Sequence, residues 1–144
     1  MDIHVTRLDG DDVRMGLSAD LGFSEADRRE NLRRVAHVAE LFNKNGNFVI
    51  ATFVSPTEEL RRLVRGLIKN FRLCYVRCSL ETCEKRDLKG LYAKARRGEV
   101  RDFTGVSAPF EEPANAEITV QTDQDDVERC VDNILTALGI DEGQ

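Results

Sequence analysis

At 144 residues, 41% hydrophobic and 33% charged, the chain has the make-up of one globular domain rather than a disordered segment. No apolar run approaches the roughly 20 residues of a membrane span, no charged-then-apolar leader opens the chain, and a net charge of −5 speaks against a nucleic-acid partner. The expected setting is the cytoplasm, with neither membrane nor nucleic acid among the partners.

Ile3 to Leu8 alternates, with a slip before Leu8, and predicts a short strand. It runs into "LDGDDVR", where Gly10 permits a sharp turn between Asp9 and Asp11. Two carboxylates at a strand end suit Mg²⁺ held through water, or a proton taken from a hydroxyl nucleophile. An Asp ahead of "VRMGL" equally suits a helix N-cap. Ser24 opens the next element with Ser-Glu-Ala-Asp, a capping-box-like start. Leu32, Val35, Ala36, Val38, Ala39 and Phe42 then mark the apolar face of a helix that Asn45-Gly46 stops. Arg28 and Asn31 share one face of it. A guanidinium with a polar neighbour suits phosphate or sulfate, and an exposed face of ion pairs has the same pattern.

Phe48 to Val54 is nearly continuous apolar sequence between Gly46 and Pro56, which predicts a buried parallel strand. A helix follows from Pro56-Thr57 through "EELRRLVRGLIKNF", with Glu58 and Glu59 in its first turn. "LCYVRC" predicts a strand, "SLETCEKRD" a helix capped by Ser79, and "KGLYAKARRGEV" a helix ending near Gly98. "RDFTGVSAPFEEPANA" is a loop, "EITVQT" a last strand and "DQDDVERCVDNILTAL" a last helix. Strands alternating with helices give an α/β fold with a parallel sheet, whose ligands sit at the carboxyl ends of the strands. Asp9 and Asp11, Ser55, and Cys78-Ser79 all follow such ends. From Glu84 to Asp102, seven basic residues face four acidic ones. That stretch fits an anion site or a solvated helix face. Phe103 in its polar loop fits a base-stacking aromatic or a loop anchor. Cys74, Cys78, Cys83 and Cys130 form no C-x-x-C pair, and His4 and His37 have no ligand-like spacing, so buried structural thiols are expected rather than a metal centre.

In order, "LDGDDVRMGLSADLGFSEADRRENLRRVAHVAELF", "FVIATFVSP", "CEKRDLKGLYAKARRGEVRDFTG" and "FEEPANAEITVQTD" resemble the adenylylsulfate kinase (APS kinase) family over nearly the whole chain. The resemblance implies a P-loop kinase fold that transfers the γ-phosphoryl of ATP to the 3′-hydroxyl of adenylylsulfate, with Mg²⁺, giving PAPS in sulfate activation. It implies that Asp11 activates the 3′-hydroxyl near Mg²⁺, supported by Asp9. Arg14, Arg28 and Asn31 match contacts to the phosphosulfate and sugar. Phe23 and Phe103 match aromatics that sandwich the adenine, and Asp102 a backbone contact to substrate. Val54 and Ser55 match a strand-end pair beside the substrate, the serine being phosphorylated in some members. Lys89, with Gly90, matches the lysine that opens a mobile lid, placed at about residues 84–104. A homodimer and an ATP sulfurylase partner or fusion are implied as well.

The family's opening strand, G-x-x-x-x-G-K-[ST] loop and helix have no counterpart in these residues. That loop cradles ATP phosphates on backbone N–H groups. The domain is therefore expected to be an N-terminally truncated one over residues 1–144, inactive by itself. Its sheet, of order 2-3-1-4-5 in P-loop kinases, is expected to lack the first, central strand and to leave two inner strand edges unpaired. A catalytically dead adenylylsulfate/PAPS-binding regulatory module, or a fragment of a sulfurylase–kinase assembly, is the alternative expectation.

Overall fold

The structure is a computed structural model that describes residues 2–140. Its elements run β1 (Val5–Asp9), α1 (Gly10–Met15), α2 (Glu25–Lys44), β2 (Phe48–Thr52), α3 (Glu58–Leu67), β3 (Cys74–Arg77), α4 (Leu80–Arg86), α5 (Leu91–Arg96), β4 (Ile118–Gln121) and α6 (Val127–Leu138). This is the α/β alternation expected. The chain divides into two compact units: one runs to Phe71 and takes Arg101–Glu112 back in, and the other holds Arg72–Val100 and the chain from Pro113 onward. The expected lid stretch is shared between them.

In the first unit β1 and β2 pair in parallel, Val5 opposite Phe48 through Asp9 opposite Thr52. That register puts the two strand ends side by side. Ser24 caps α2 by accepting from Asp27 N at 3.2 Å. The expected capping box is half formed, because the Asp27 carboxylate turns away to accept from Gly22 N at 2.9 Å. The α2 stripe Leu32, Val35, Ala36 and Ala39 is buried, with Val13 of α1 and Leu60 of α3. Full burial of each Leu or Val is worth about 1.5–3 kcal/mol. Thr57 caps α3, which stops at Leu67 where the backbone turns extended at Ile68.

The second unit pairs β3 with β4 in parallel, Cys74 opposite Ile118 through Arg77 opposite Gln121. On β4, Ile118 and Val120 face inward and Thr119 outward, the period of a half-buried strand. Cys130 of α6 joins them in the core, and α6 ends at Gly139 in the left-handed region.

Three sequence readings are corrected. β2 is not buried: Ile50, Ala51 and Thr52 are exposed, because among the described residues β1 is its one strand partner. The first strand is shifted to Val5–Asp9, and Gly10–Met15 is helical, so Asp9 is both strand end and helix cap. The strand read in "LCYVRC" is shorter, Cys74–Arg77, so Cys78 lies past its end. The β1–β2 and β3–β4 pairings are those that an order of 2-3-1-4-5 leaves when its first strand is not among the residues.

Candidate functional site at the strand ends of the first unit

The β1 end is fastened before it becomes a helix. Asp9 accepts from Asp11 N at 2.9 Å through Oδ1 and from the Thr52 hydroxyl at 3.2 Å through Oδ2. The Asp11 N–H bond, then the one from Thr52, hold its carboxyl below the usual carboxylate range. Gly10 is required here by closeness: a Cβ would stand 3.2 Å from Thr52 O and 3.4 Å from the Phe53 ring. Asp11 and Asp12 occupy the first turn of α1, exposed and favourably placed on the helix dipole.

Downstream of α1 an exposed aromatic sits between two cations. The Arg14 guanidinium lies 4.1 Å from the Phe23 ring centroid and that of Arg28 5.6 Å from it. Arg14 donates to Gly22 O at 2.8 Å. Arg28 donates to Phe23 O at 2.9 Å, to the Thr104 hydroxyl at 3.0 Å and to Asp102 O. Burial lowers the proton affinity of both guanidiniums, and at Arg28 the Arg14 charge adds to the effect. Asp27 opposes the shift at Arg14 and Asp102 opposes it at Arg28. Two half-desolvated cations that repel each other form a place where a bound anion relieves strain. One turn along α2, Asn31 is 4% exposed and its Oδ1 has no hydrogen-bond donor among the described residues. A buried acceptor without a donor is costly.

The loop Arg101–Glu112 comes back to this end. Asp102 stands at φ 52°, in the left-handed region. Phe103 N–H donates to Ser107 Oγ at 2.8 Å, and Phe103 O accepts from the N–H groups of Val106, Ser107 and Ala108. At the end of β2, Val54 is exposed and Ser55 stands at φ 35°, its carbonyl accepting from the buried Arg61 at 2.7 Å. Arg61 also donates to Glu111 O at 2.6 Å and to Glu58 Oε1 at 2.8 Å.

The structure thus brings Asp9, Asp11, Arg14, Phe23, Arg28, Asn31, Val54, Ser55, Asp102 and Phe103 into one unit, and leaves Lys89 in the other, exposed just ahead of Gly90. Arg28 is largely occupied as a clasp between α2 and the loop, a task its sequence neighbours do not announce. Thr52, Thr104 and Arg61 were not singled out. Arg61 had one signal: it stands three residues before Val64, on one face of α3. Among the described residues no three His, Cys, Asp or Glu side chains converge on a metal position.

A family model described as adenylylsulphate kinase matches residues 1–121. A probable adenylyl-sulfate kinase of Halalkalibacterium halodurans is 52% identical over 142 residues, 97% of this chain and 70% of that protein. An adenylyl-sulfate kinase of Clostridium acetobutylicum is 52% identical over 132 residues, 91% of this chain and 66% of its own length. The chain therefore spans about two thirds of the curated relatives it matches. Among solved structures, an APS kinase of Mycobacterium tuberculosis in complex with AMPPNP and APS superposes with a TM-score of 0.89 at 42% identity, covering 95% of this chain and 81% of that one.

Proposed function

The chain belongs to the adenylylsulphate kinase family, with that family's P-loop kinase fold, and on this premise we propose that its first unit binds adenylylsulfate and serves phosphoryl transfer from ATP to the 3′-hydroxyl. The observation that carries the site assignment is the Arg14–Phe23–Arg28 cluster beside the β1 end. Adenylylsulfate is a purine nucleotide with a doubly anionic phosphosulfate. An exposed aromatic offers it a stacking surface and two guanidiniums offer charge-assisted bonds. Phe23 and Phe103 hold the adenine, Arg14 and the outward edge of Arg28 meet the phosphosulfate, and the buried Asn31 Oδ1 accepts from a hydroxyl or amino group of the nucleotide. Asp102 and the Val54-Ser55 strand end shape the pocket with backbone groups.

Asp11 is the general base. Phosphoryl transfer asks a protein for positioning and charge neutralisation more than for covalent chemistry. A carboxylate at a strand end, its neighbour Asp9 pinned by two hydrogen bonds, takes the proton of a 3′-hydroxyl without moving. Mg²⁺ would neutralise charge on the transferred phosphoryl group. It keeps several waters and uses one or two carboxylates, so Asp11 suits it as a ligand through water, while the residues present do not complete a site. These 144 residues hold no G-x-x-x-x-G-K-[ST] loop, so the cradle for the ATP phosphates is not among them and the acceptor side is. The four cysteines are all free thiols, which suits the reducing cytoplasm. We further infer a homodimer working beside an ATP sulfurylase.

Calorimetric titration with adenylylsulfate tests the assignment. One site per chain is expected, weakened about tenfold or more by Arg14→Ala, the loss of one charge-assisted contact. Absence of binding by folded protein overturns it.

A further inference from the structure

The turn from β3 into α4 carries a pair of thiols that the nucleotide chemistry does not use. Ser79 is the N-cap of α4, its Oγ accepting from Thr82 N at 3.2 Å. Cys78 therefore stands at the position before the cap, and Cys83 is the fourth residue of the helix. These are the two positions whose side chains meet in a hydrophobic staple, where apolar residues ordinarily pack. Here both carry sulfur. Burial, then the neighbouring Cys78, push the Cys83 thiol up, and burial, then Cys83, push the Tyr92 hydroxyl up. Arg86, one turn beyond Cys83, points Nη1 at Cys78 Sγ from 3.9 Å and anchors itself on Thr122 O at 2.7 Å. Both cysteines are partly exposed. Of the other two, Cys130 is buried and Cys74 is partly exposed, its thiol pushed up by burial and then by the neighbouring Cys130.

We propose that Cys78 and Cys83 form a dithiol site that a hydroperoxide converts reversibly into an intramolecular disulfide. The Cys78 sulfur, in contact with a cation, attacks the peroxide O–O bond, which breaks. One oxygen stays on sulfur as the sulfenic acid, and the other leaves as water with the thiol proton. Cys83 sulfur then attacks Cys78 sulfur, the S–O bond breaks, and the second oxygen leaves as water with the Cys83 proton. In sum two thiols and one hydrogen peroxide give one disulfide and two waters, the sulfurs losing the two electrons that the peroxide gains. The bond ties the end of β3 to the second turn of α4.

Trypsin cuts after Arg77 and Lys85, so both sulfurs fall in one peptide, residues 78–85, while Cys74 and Cys130 fall in two others. The folded chain is treated with one equivalent of hydrogen peroxide, alkylated, digested and weighed. Peptide 78–85 is expected lighter by two hydrogens and unalkylated, and dithiothreitol restores it. Equilibrium against glutathione should favour the disulfide about tenfold more in the folded chain than in urea, where the staple is gone. Cys78→Ser and Cys83→Ser, each nearly isosteric, should abolish the product without changing the circular dichroism. The proposal is overturned if peptide 78–85 takes two alkyl groups after peroxide, if Cys74 and Cys130 cross-link instead, or if folded and unfolded chains show the same equilibrium.

Discussion

Arg61→Met removes a guanidinium whose side chain is 4% exposed and strands the oxygens it served: Ser55 O at 2.7 Å, Glu111 O at 2.6 Å and Glu58 Oε1 at 2.8 Å. Met replaces most of the aliphatic stem, so the loss is mainly polar. Breaking a buried pair from one side costs about 3–5 kcal/mol. Glu58 is 29% exposed and is partly rehydrated, which lowers its share. Each of two carbonyls left without a donor adds about 1–3 kcal/mol if it stays dry. A destabilisation of about 4 kcal/mol follows, a large part of the roughly 5–15 kcal/mol that holds a domain together. Urea unfolding followed by far-ultraviolet circular dichroism measures it by linear extrapolation. Glu58→Gln in the Arg61→Met background should cost about 1 kcal/mol less than in the native chain, since the two residues share one interaction. A loss below about 1 kcal/mol, or strict additivity of the two changes, would refute the view of Arg61 as the tie between the Ser55 turn and the Arg101–Glu112 loop.

The remaining expectations concern α2, the β1 end and turnover. Hydrogen bonds from Arg33, then Arg34, hold the Glu30 carboxyl at about 2, against an ordinary 4.5. Its folded value is the lower one, so its stabilising share is complete above 4.5 and is lost as pH falls toward 2. Glu30→Gln should flatten that part of the stability profile, and a Glu30 carboxyl resonance titrating near 4.5 would contradict it. Gly10→Ala should destabilise by about 1 kcal/mol despite better helix propensity, because its Cβ would press on the Thr52 carbonyl; an unchanged melting temperature would show that the strand ends separate at no cost. In the chain completed with a relative's strand, P-loop and helix, Asp11→Asn should lower turnover to the 3′-phosphorylated product about a hundredfold or more while leaving adenylylsulfate affinity within about threefold. A matching loss in affinity would make Asp11 a binding residue instead.

Much of this was legible because it is local. The Ser24 cap, the α2 stripe and the Asn45-Gly46 stop all act within a few residues, and the helix lies where they put it. The acidic "DGDD" turn was ambiguous between cap and site: the cap of α1 is Asp9 rather than the Asp directly ahead of "VRMGL", which lies inside the helix, and Asp11 is proposed to act at the same strand end. What sequence does not carry is partnership at long range. Arg28 reaches Thr104 across 76 positions, and no spacing rule links them. Arg61 and its neighbour Arg62 look alike as letters, yet the first is buried and the second exposed, because only the first turns toward the Ser55 and Glu111 carbonyls. β2 misled for a related reason: its apolar run is that of a strand covered on both sides, and a strand's cover depends on its neighbours.

The central claim is that the strand-end cluster of the first unit is the acceptor-nucleotide site. Its most direct test is a two-dimensional ¹H–¹⁵N spectrum of the chain titrated with adenylylsulfate. The account predicts saturable shifts in the amides of Asp9–Arg14, Phe23–Asn31 and Asp102–Phe103, with the Arg14 and Arg28 Nε–H resonances moving alongside. Saturable binding that leaves those amides unmoved, with the shifts elsewhere in the chain, would contradict it.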